Sequence, residues 1–507
     1  MIKNFFKVTL RNLRRNSLYS FINISGLAIG ISCSILILLW VQSETSYDRF
    51  IPKADRLHQV FVNAKFNDNI NTWSSVPLPT YEELKSEHAK IVNTVVLGWG
   101  NKRLISLEDH GVMKDGYYAS EEFLEMFEFP LLRGEASEVL DDPSSIVISE
   151  SLAAIMFKDE DPIGQFLNVN ENNTLKVTGV LKDIPDNSSF QFDYLMPWKY
   201  RESVQQWVVD NKTNWGNYSF QVFVELAAAE DHAEVEEAIA SLLTEKGQTD
   251  VEREFFLHPM LSWKLHSNFK NGVVVGGQAD YVNLFGIIAL FILIIACINF
   301  MNLATARSER RAKEVGIRKS LGSLRGQLII QFYGESLIIT LISYVLALLL
   351  VLAILPAYNN LVNKSLFLDF QSQEFWLFSS GIIFITGSIS GSYPSLYLSS
   401  FNPIKTLKGK VKIGKNANTP RKILVMLQFG FAVFLIISTL VILDQIKLAQ
   451  NRDLGYDQEG LLSIQEHDEI SKNYDLVYQE LLRTGEVVSM TRSNSQVTGI
   501  NSNNFLG

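Results

Sequence analysis

The chain has 507 residues, 47% hydrophobic and 20% charged, with a formal net charge of −9 at pH 7 and two cysteines. That length exceeds one ordinary domain, and two cysteines supply neither a disulfide framework nor a thiolate metal site. A plain acidic soluble protein is excluded by the distribution: apolar residues gather in five blocks, and the charges lie between them.

Residues 1–20 carry Lys3, Lys7, Arg11, Arg14 and Arg15, with Ile2, Phe5, Phe6, Leu10 and Leu13 near one helical face. The pattern predicts an amphipathic helix on an anionic leaflet, or a basic flank to the span that follows. Phe21–Val41 is the first of five stretches long enough to cross a hydrocarbon core of about 30 Å. The others are Tyr281–Ala304, Ser336–Leu355, Phe375–Leu398 and Ile423–Leu443, and none of the five holds Asp, Glu, Lys, Arg or His. Ionisable groups are expected inside an ion-coupled transporter, so that class is disfavoured. The first stretch is too long for a signal-peptide core and lacks a small-x-small cleavage site, which makes it an uncleaved anchor. Gly26, Gly30 and Ser34 at four-residue spacing, and Gly387 and Gly391 in the fourth span, predict close helix packing. Cys33 and Cys297 fall inside spans and read as packing residues rather than reactive thiols.

Orientation follows from Lys and Arg in the connecting segments, which are enriched on the cytoplasmic side. There are five in residues 1–20, seven in 305–335 and seven in 399–422, but only Lys364 in 356–374. The N-terminus is therefore expected in the cytoplasm of a multi-pass inner (plasma) membrane protein. Residues 42–280 and everything after Leu443 then lie outside. The 42–280 segment holds 39 acidic and 20 basic residues, a balance that mostly confers solubility.

Within 42–280, short β-like runs alternate with turn clusters and short helical patterns. Ser145–Ile148 reads as a strand, Glu150–Phe157 as a helix, Asp161-Pro-Ile-Gly164 as a turn, and Gln165–Val169 and Leu175–Leu181 as strands around a polar hairpin. Asp183-Ile-Pro-Asp-Asn-Ser188 is a second dense turn, and His232–Leu243 is helical. Few, short helices indicate an α+β domain rather than a doubly wound sheet. His58, His88, His110, His232, His258 and His266 show no metal-binding spacing. No nucleophile elbow is present, and the pairs Glu121-Glu122 and Asp141-Asp142 read as solvated surface. No catalytic residue, metal or cofactor is expected, nor a nucleic-acid partner; a binding or force-transmitting domain fits better.

Two connecting segments remain. Gly409-Lys-Val-Lys-Ile-Gly414-Lys415-Asn416 imitates a phosphate loop but has Asn where Ser or Thr would hold magnesium. It also lacks the strand before it and the helix after it, so it is not expected to bind nucleotide. Ala304–Leu321 is rich in helix formers of both charge signs, and Gly322 is a natural stop. It is suited to docking in a groove of a soluble partner, or it is a solvated extension of the second span.

The segment Arg310-Arg-Ala-Lys-Glu314-Val-Gly316-Ile-Arg318-Lys-Ser-Leu-Gly322 resembles the Glu-(Ile/Val)-Gly-Ile-Arg-(Lys/Arg)-x-Leu-Gly motif of the MacB/FtsX family of ABC permeases. Gln331-Phe-x-x-Glu335 is similar to the approach to that family's third span. Phe123-x-x-Met-Phe-x-Phe-Pro-Leu-Leu-Arg-Gly134, Asp161-Pro-Ile-Gly164 and Val177-Thr-Gly-Val-x-x-Asp-Ile-Pro-x-Asn187 resemble its periplasmic core domain. Phe5-Phe6-Lys7 through Gly26-Leu-Ala-Ile-Gly30 resembles its opening.

The resemblance implies a membrane α-helical protein with a MacB-like periplasmic core domain over 42–280 and an FtsX-like permease domain over 281–398. It further implies that 305–335 is a coupling loop seated on a separate ABC ATPase subunit, with Glu314, Gly316, Arg318 and Gly322 as the coupling positions. Two permease halves, as a homodimer or a pair, would work with two ATPases. ATP-driven movement would reach the outer domain by mechanotransmission, serving export or efflux with or without a periplasmic or outer-membrane partner. The chain itself would not be an enzyme. The alternative within the family is a regulatory FtsX-like protein that activates a cell-wall hydrolase or signals across the membrane. The outer domain is large for that role.

The fifth span departs from the simplest pattern. Arg421-Lys422 precedes it and Tyr456-Asp457 follows, as Arg14-Arg15 and Tyr47-Asp48 frame the first. Residues 444–507 thus read as the start of a second outer domain in a two-unit permease, and the chain as a truncated version of it.

Overall fold

The computed structural model describes residues 11, 15, 17–67, 69–108, 110–170, 173–247, 251–306, 308–400, 419–453, 455–456, 459–464, 468–493 and 495. Most of the N-terminal amphipathic stretch and the 409–416 loop lie outside these residues. The chain divides into two compact units.

The first unit is helical. Its helices are α1 (Ser17–Thr45), α2 (Gln278–Ala306), α3 (Ser308–Ser320), α4 (Arg325–Val362), α5 (Gln373–Ser399) and α6 (Thr419–Gln450). All but α3 are long and apolar enough to cross a membrane. Each continues past the apolar stretch that marks it in the sequence, because backbone groups inside a bilayer must be satisfied within the helix and nothing at its edge ends the ladder. Asn363, in the left-handed region with φ 52°, stops α4. Ser372 caps α5 by accepting from the Glu374 amide at 3.1 Å.

Leu27, Ile31 and Ile35 of α1 meet Ala296 and Phe300 of α2, Ile339 and Ala347 of α4, and Ile382 of α5 in one core. The small residues sit at the closest crossings. A Cβ on Gly30 would stand 2.4 Å from the Ala296 Cβ, and one on Gly26 would stand 3.3 Å from the Asn299 amide nitrogen. The Ser34 hydroxyl donates to the carbonyls of Gly30 and Ala289, at 2.9 and 3.0 Å. Gly387 faces Leu337, and Gly391 faces Ser336, with 2.5 and 2.9 Å left for a Cβ. The interior is more polar than freedom from charge suggests: Asn23, Asn302, Thr340, Ser343, Thr386 and Ser390 are all buried. Among the described residues the sixth helix stands apart, touching α2 through the stacked rings of Phe291 and Phe431 and through the Asn302 side-chain amide, which donates to the Gln428 side-chain oxygen at 3.2 Å.

The second unit is built on one sheet of twelve strands: β1 (Leu57–Phe66), β2 (Asn69–Trp73), β3 (Ile91–Leu97), β4 (Asn101–Leu107), β5 (His110–Ala119), β6 (Leu131–Arg133), β7 (Ser145–Ser149), β8 (Phe166–Val169), β9 (Asn173–Leu181), β10 (Tyr194–Pro197), β11 (Gln221–Leu226) and β12 (Arg253–Pro259). Six of them close on themselves in the order β5–β4–β8–β9–β7–β10, with β10 returning to pair in parallel with β5. A single residue pair, Leu97 with Ala119, leads from this ring to the antiparallel arm β3–β11–β1–β12.

The strand Ser145–Ser149 and the helix Glu150–Phe157 stand where the sequence places them, with the Ser149 hydroxyl accepting from the Leu152 amide. The helix expected over His232–Leu243 is instead two, His232–Ala240 and Leu242–Gly247. Ser241 ends the first and turns its hydroxyl to Glu245 at 2.6 Å, the local side-chain bonding that makes serine a poor helix-interior residue. Among the described residues no helix of this unit exceeds ten residues, the length of Tyr474–Arg483, so the fold is α+β.

Candidate functional site

The segment that leaves α2 folds as a separate helix, α3, and turns sharply into α4. Gly322 makes the turn possible with φ 98°, a conformation that costs glycine little. The Ser323 amide reaches back to the Arg318 carbonyl at 3.0 Å and the Gly322 amide to that of Lys319 at 3.1 Å, satisfying the carbonyls at the helix end. The Gln327 side chain then accepts from the Leu324 amide at 3.2 Å and starts α4.

One side of α3 is fixed to the bundle. The Val315 side chain is buried among Leu328 and Phe332 of α4 and Leu398 of α5. The Arg318 guanidinium bonds the Glu314 carboxylate at 2.6 Å and also donates to the Gln331 side-chain oxygen on α4. The Lys319 ammonium donates to the Ser399 carbonyl at 2.7 Å, in the last turn of α5 where the helix dipole favours a cation. Gly316 is buried, and its carbonyl accepts from the Ser320 hydroxyl at 3.0 Å.

Of the four positions singled out by the motif, the structure thus joins Glu314 to Arg318, buries Gly316 and ends the helix at Gly322. Sequence reasoning missed Val315, Lys319 and Ser399. The four-residue step from Val315 to Lys319 signals a shared face, but nothing in the sequence shows that this face meets α5.

At the other end of the helical unit, Glu44 is only 3% exposed. Its carboxylate lies 2.6 Å from the Lys364 ammonium and 3.8 Å from that of Lys264. Both lysines also stand over the Tyr47 ring. This knot ties the end of α1 to the α4–α5 connection and to residues 264–268.

The outer-domain motifs prove to be framework. Phe123, Phe127 and Phe129 form an aromatic cluster with Phe190, Phe192 and Phe223. Arg133 pairs with Asp161, and Asp183 accepts from the Ser151 amide at 2.9 Å. Gly134, at φ 92°, leaves no room for a Cβ against the Thr178 carbonyl. The His58 and His232 rings stack at 4.8 Å. Among the described residues no group of three or more His, Cys, Asp or Glu is arranged to hold a metal.

Residues 20–242 match the MacB-like periplasmic core domain, and residues 286–403 match the FtsX-like permease C-terminal domain. The two matches follow in order along the chain and take in most of the sheet unit and the helices that carry α3. The chain is a MacB/FtsX-like ABC transporter permease. Its fold is that of an α-helical membrane protein with an α+β extracytoplasmic domain.

Among relatives of this permease is the macrolide export ATP-binding/permease protein MacB of Neisseria gonorrhoeae, 26% identical over 230 residues, which are 45% of this chain and 33% of that protein. The permease thus spans about a third of the length of that MacB relative. An uncharacterized ABC transporter permease of Methanocaldococcus jannaschii is 23% identical over 416 residues, 79% of this chain and 96% of that one. The periplasmic region of MacB from Actinobacillus actinomycetemcomitans aligns with 41% of this chain and 91% of its own, at 15% identity and a TM-score of 0.31.

Proposed function

We propose that this permease couples ATP hydrolysis on a separate ATP-binding subunit to movement of its extracytoplasmic domain, in export or efflux. The observation that carries the reading is α3: a short charged helix between two spans, fixed to α4 and α5, so that a push on it is felt by both. A freely hinged loop would absorb such a push. The Lys and Arg surplus in 305–335 and 399–422 supports a cytoplasmic position for α3 in the inner membrane, with the N-terminus on the same side. The ATP-binding part of the Neisseria relative supports a nucleotide-hydrolysing partner. Two copies of the permease, or a copy and a second permease half, would each present one α3. The chain itself then carries no catalytic residue and no cofactor.

The test is affinity purification of the tagged permease from its host in mild detergent, with ATP hydrolysis assayed on the eluate. Wild type should bring down an ATP-hydrolysing partner, and the Glu314→Ala, Arg318→Ala double variant should lose it. A wild-type eluate without ATPase activity would refute the reading.

A further inference from the structure

We infer that α3 has two faces with separate duties, and that the motif's charged residues belong to the inner one. This rests on the coupling reading above and assigns the residues within it. Glu314 and Arg318 are spent on each other and on Gln331, Lys319 on the Ser399 carbonyl, and Val315 on the contact with Leu328, Phe332 and Leu398. These groups hold the helix at a fixed angle to α4 and α5; they are positioning residues.

The outer face is apolar. Ile317, Leu321 and Leu324 are 52%, 83% and 68% exposed among the described residues. Ile317 and Leu321 lie one helical turn apart at the end of α3, and Leu324 follows just beyond the Gly322 turn at the start of α4. Such an apolar ridge, an i, i+4 pair on a rigid helix extended by a third side chain beyond the turn, suits a hydrophobic groove on a partner. Its occupant is the ATP-binding subunit. Both matched segments of this chain are permease domains, whereas the MacB relative carries ATP-binding and permease functions in one protein. The ridge is also narrow: three side chains suit a cleft, whereas an extended flat interface needs a far larger area. Affinity is therefore expected to concentrate in Leu321, the most exposed of the three and the middle one.

Two measurements on the full chain separate the faces. In co-purification, Leu321→Asp should lower the recovered ATPase by about tenfold or more, the scale of one hot-spot residue. Leu321→Met should retain it. In hydrogen exchange on the partner-free permease, Arg318→Ala and Val315→Ala should raise deuterium uptake across 314–322, and Leu321→Asp should leave it unchanged. Full partner recovery with Leu321→Asp would overturn the inference, and would show the ridge to lie against lipid or another surface. A rise in uptake with Leu321→Asp as large as with Arg318→Ala would overturn it as well. Either result with an ATPase still bound to wild type leaves the coupling reading standing; a wild type that binds none removes both.

Discussion

His58 shows how strongly one buried side chain can tie this protein to pH. Burial lowers its pKa to about 4, only partly offset by the bond it donates to the Arg56 carbonyl, and the nearby His232 and His258 lower it further. The folded domain therefore holds His58 neutral at a pH where the unfolded chain, with an ordinary value near 6.5, already binds a proton. Its contribution is fully present above pH 6.5 and is lost as pH falls towards 4, amounting at most to about 3 kcal/mol. Thermal unfolding of the detergent-solubilised permease at pH 7, 5.5 and 4.5 should show the outer domain weakening stepwise. His58→Phe should flatten that dependence; an unchanged slope would place the titrating group elsewhere. Arg201 is another buried side chain, set against Tyr118, Trp198, Trp207 and Phe220, with Gly98 at its Nη1 where any Cβ would stand 2.7 Å away. Gly98→Ala should therefore destabilise the outer domain by about 1–3 kcal/mol, the range for overpacking, measured by the same unfolding.

Among the elements, the crossing of α1 and α2 invites an exchange experiment. Gly30→Ala puts a methyl where Ala296 already stands, and should lower detergent stability by about 1–3 kcal/mol. Moving the methyl back with Ala296→Gly should recover most of that; failure to recover would mean that Gly30 matters for another reason. The Glu44–Lys364 pair belongs at this scale too, because it joins the end of α1 to the α4–α5 connection. Glu44→Gln leaves Lys364 without its charge partner in a nearly buried site and should cost about 3–5 kcal/mol. The double change with Lys364→Met should cost less than the single one, as unfolding midpoints would show.

The spans and α3 were legible because they depend on local signals: unbroken apolar runs, a stretch of helix formers of both charge signs, and a glycine stop at Gly322. The outer strands were legible singly, as at Ser145–Ser149, but their order was not. The pairing of Tyr194–Pro197 with β5 joins segments far apart in the chain and leaves no local trace. For the same reason the seat of Val315 against Leu398 could not be read from either segment. The isolation of α6 is likewise a property of its neighbours rather than of its own residues.

For the molecule as a whole, orientation in the membrane is the first thing to establish. A membrane-impermeant maleimide added to spheroplasts should label Val275→Cys and spare Arg325→Cys, with the native Cys33 and Cys297 replaced by serine. The reverse pattern would invert the topology proposed above. The six-strand ring bears on what the outer domain can do once it is moved. In an open sheet, a pull on an edge strand unzips hydrogen bonds one after another, at low force. Each of the six ring strands has a neighbour on both sides, so prising one out means rupturing two seams together. The ring should therefore behave as a solid lever end under load, with the β3–β11–β1–β12 arm held against it by the cores the two share.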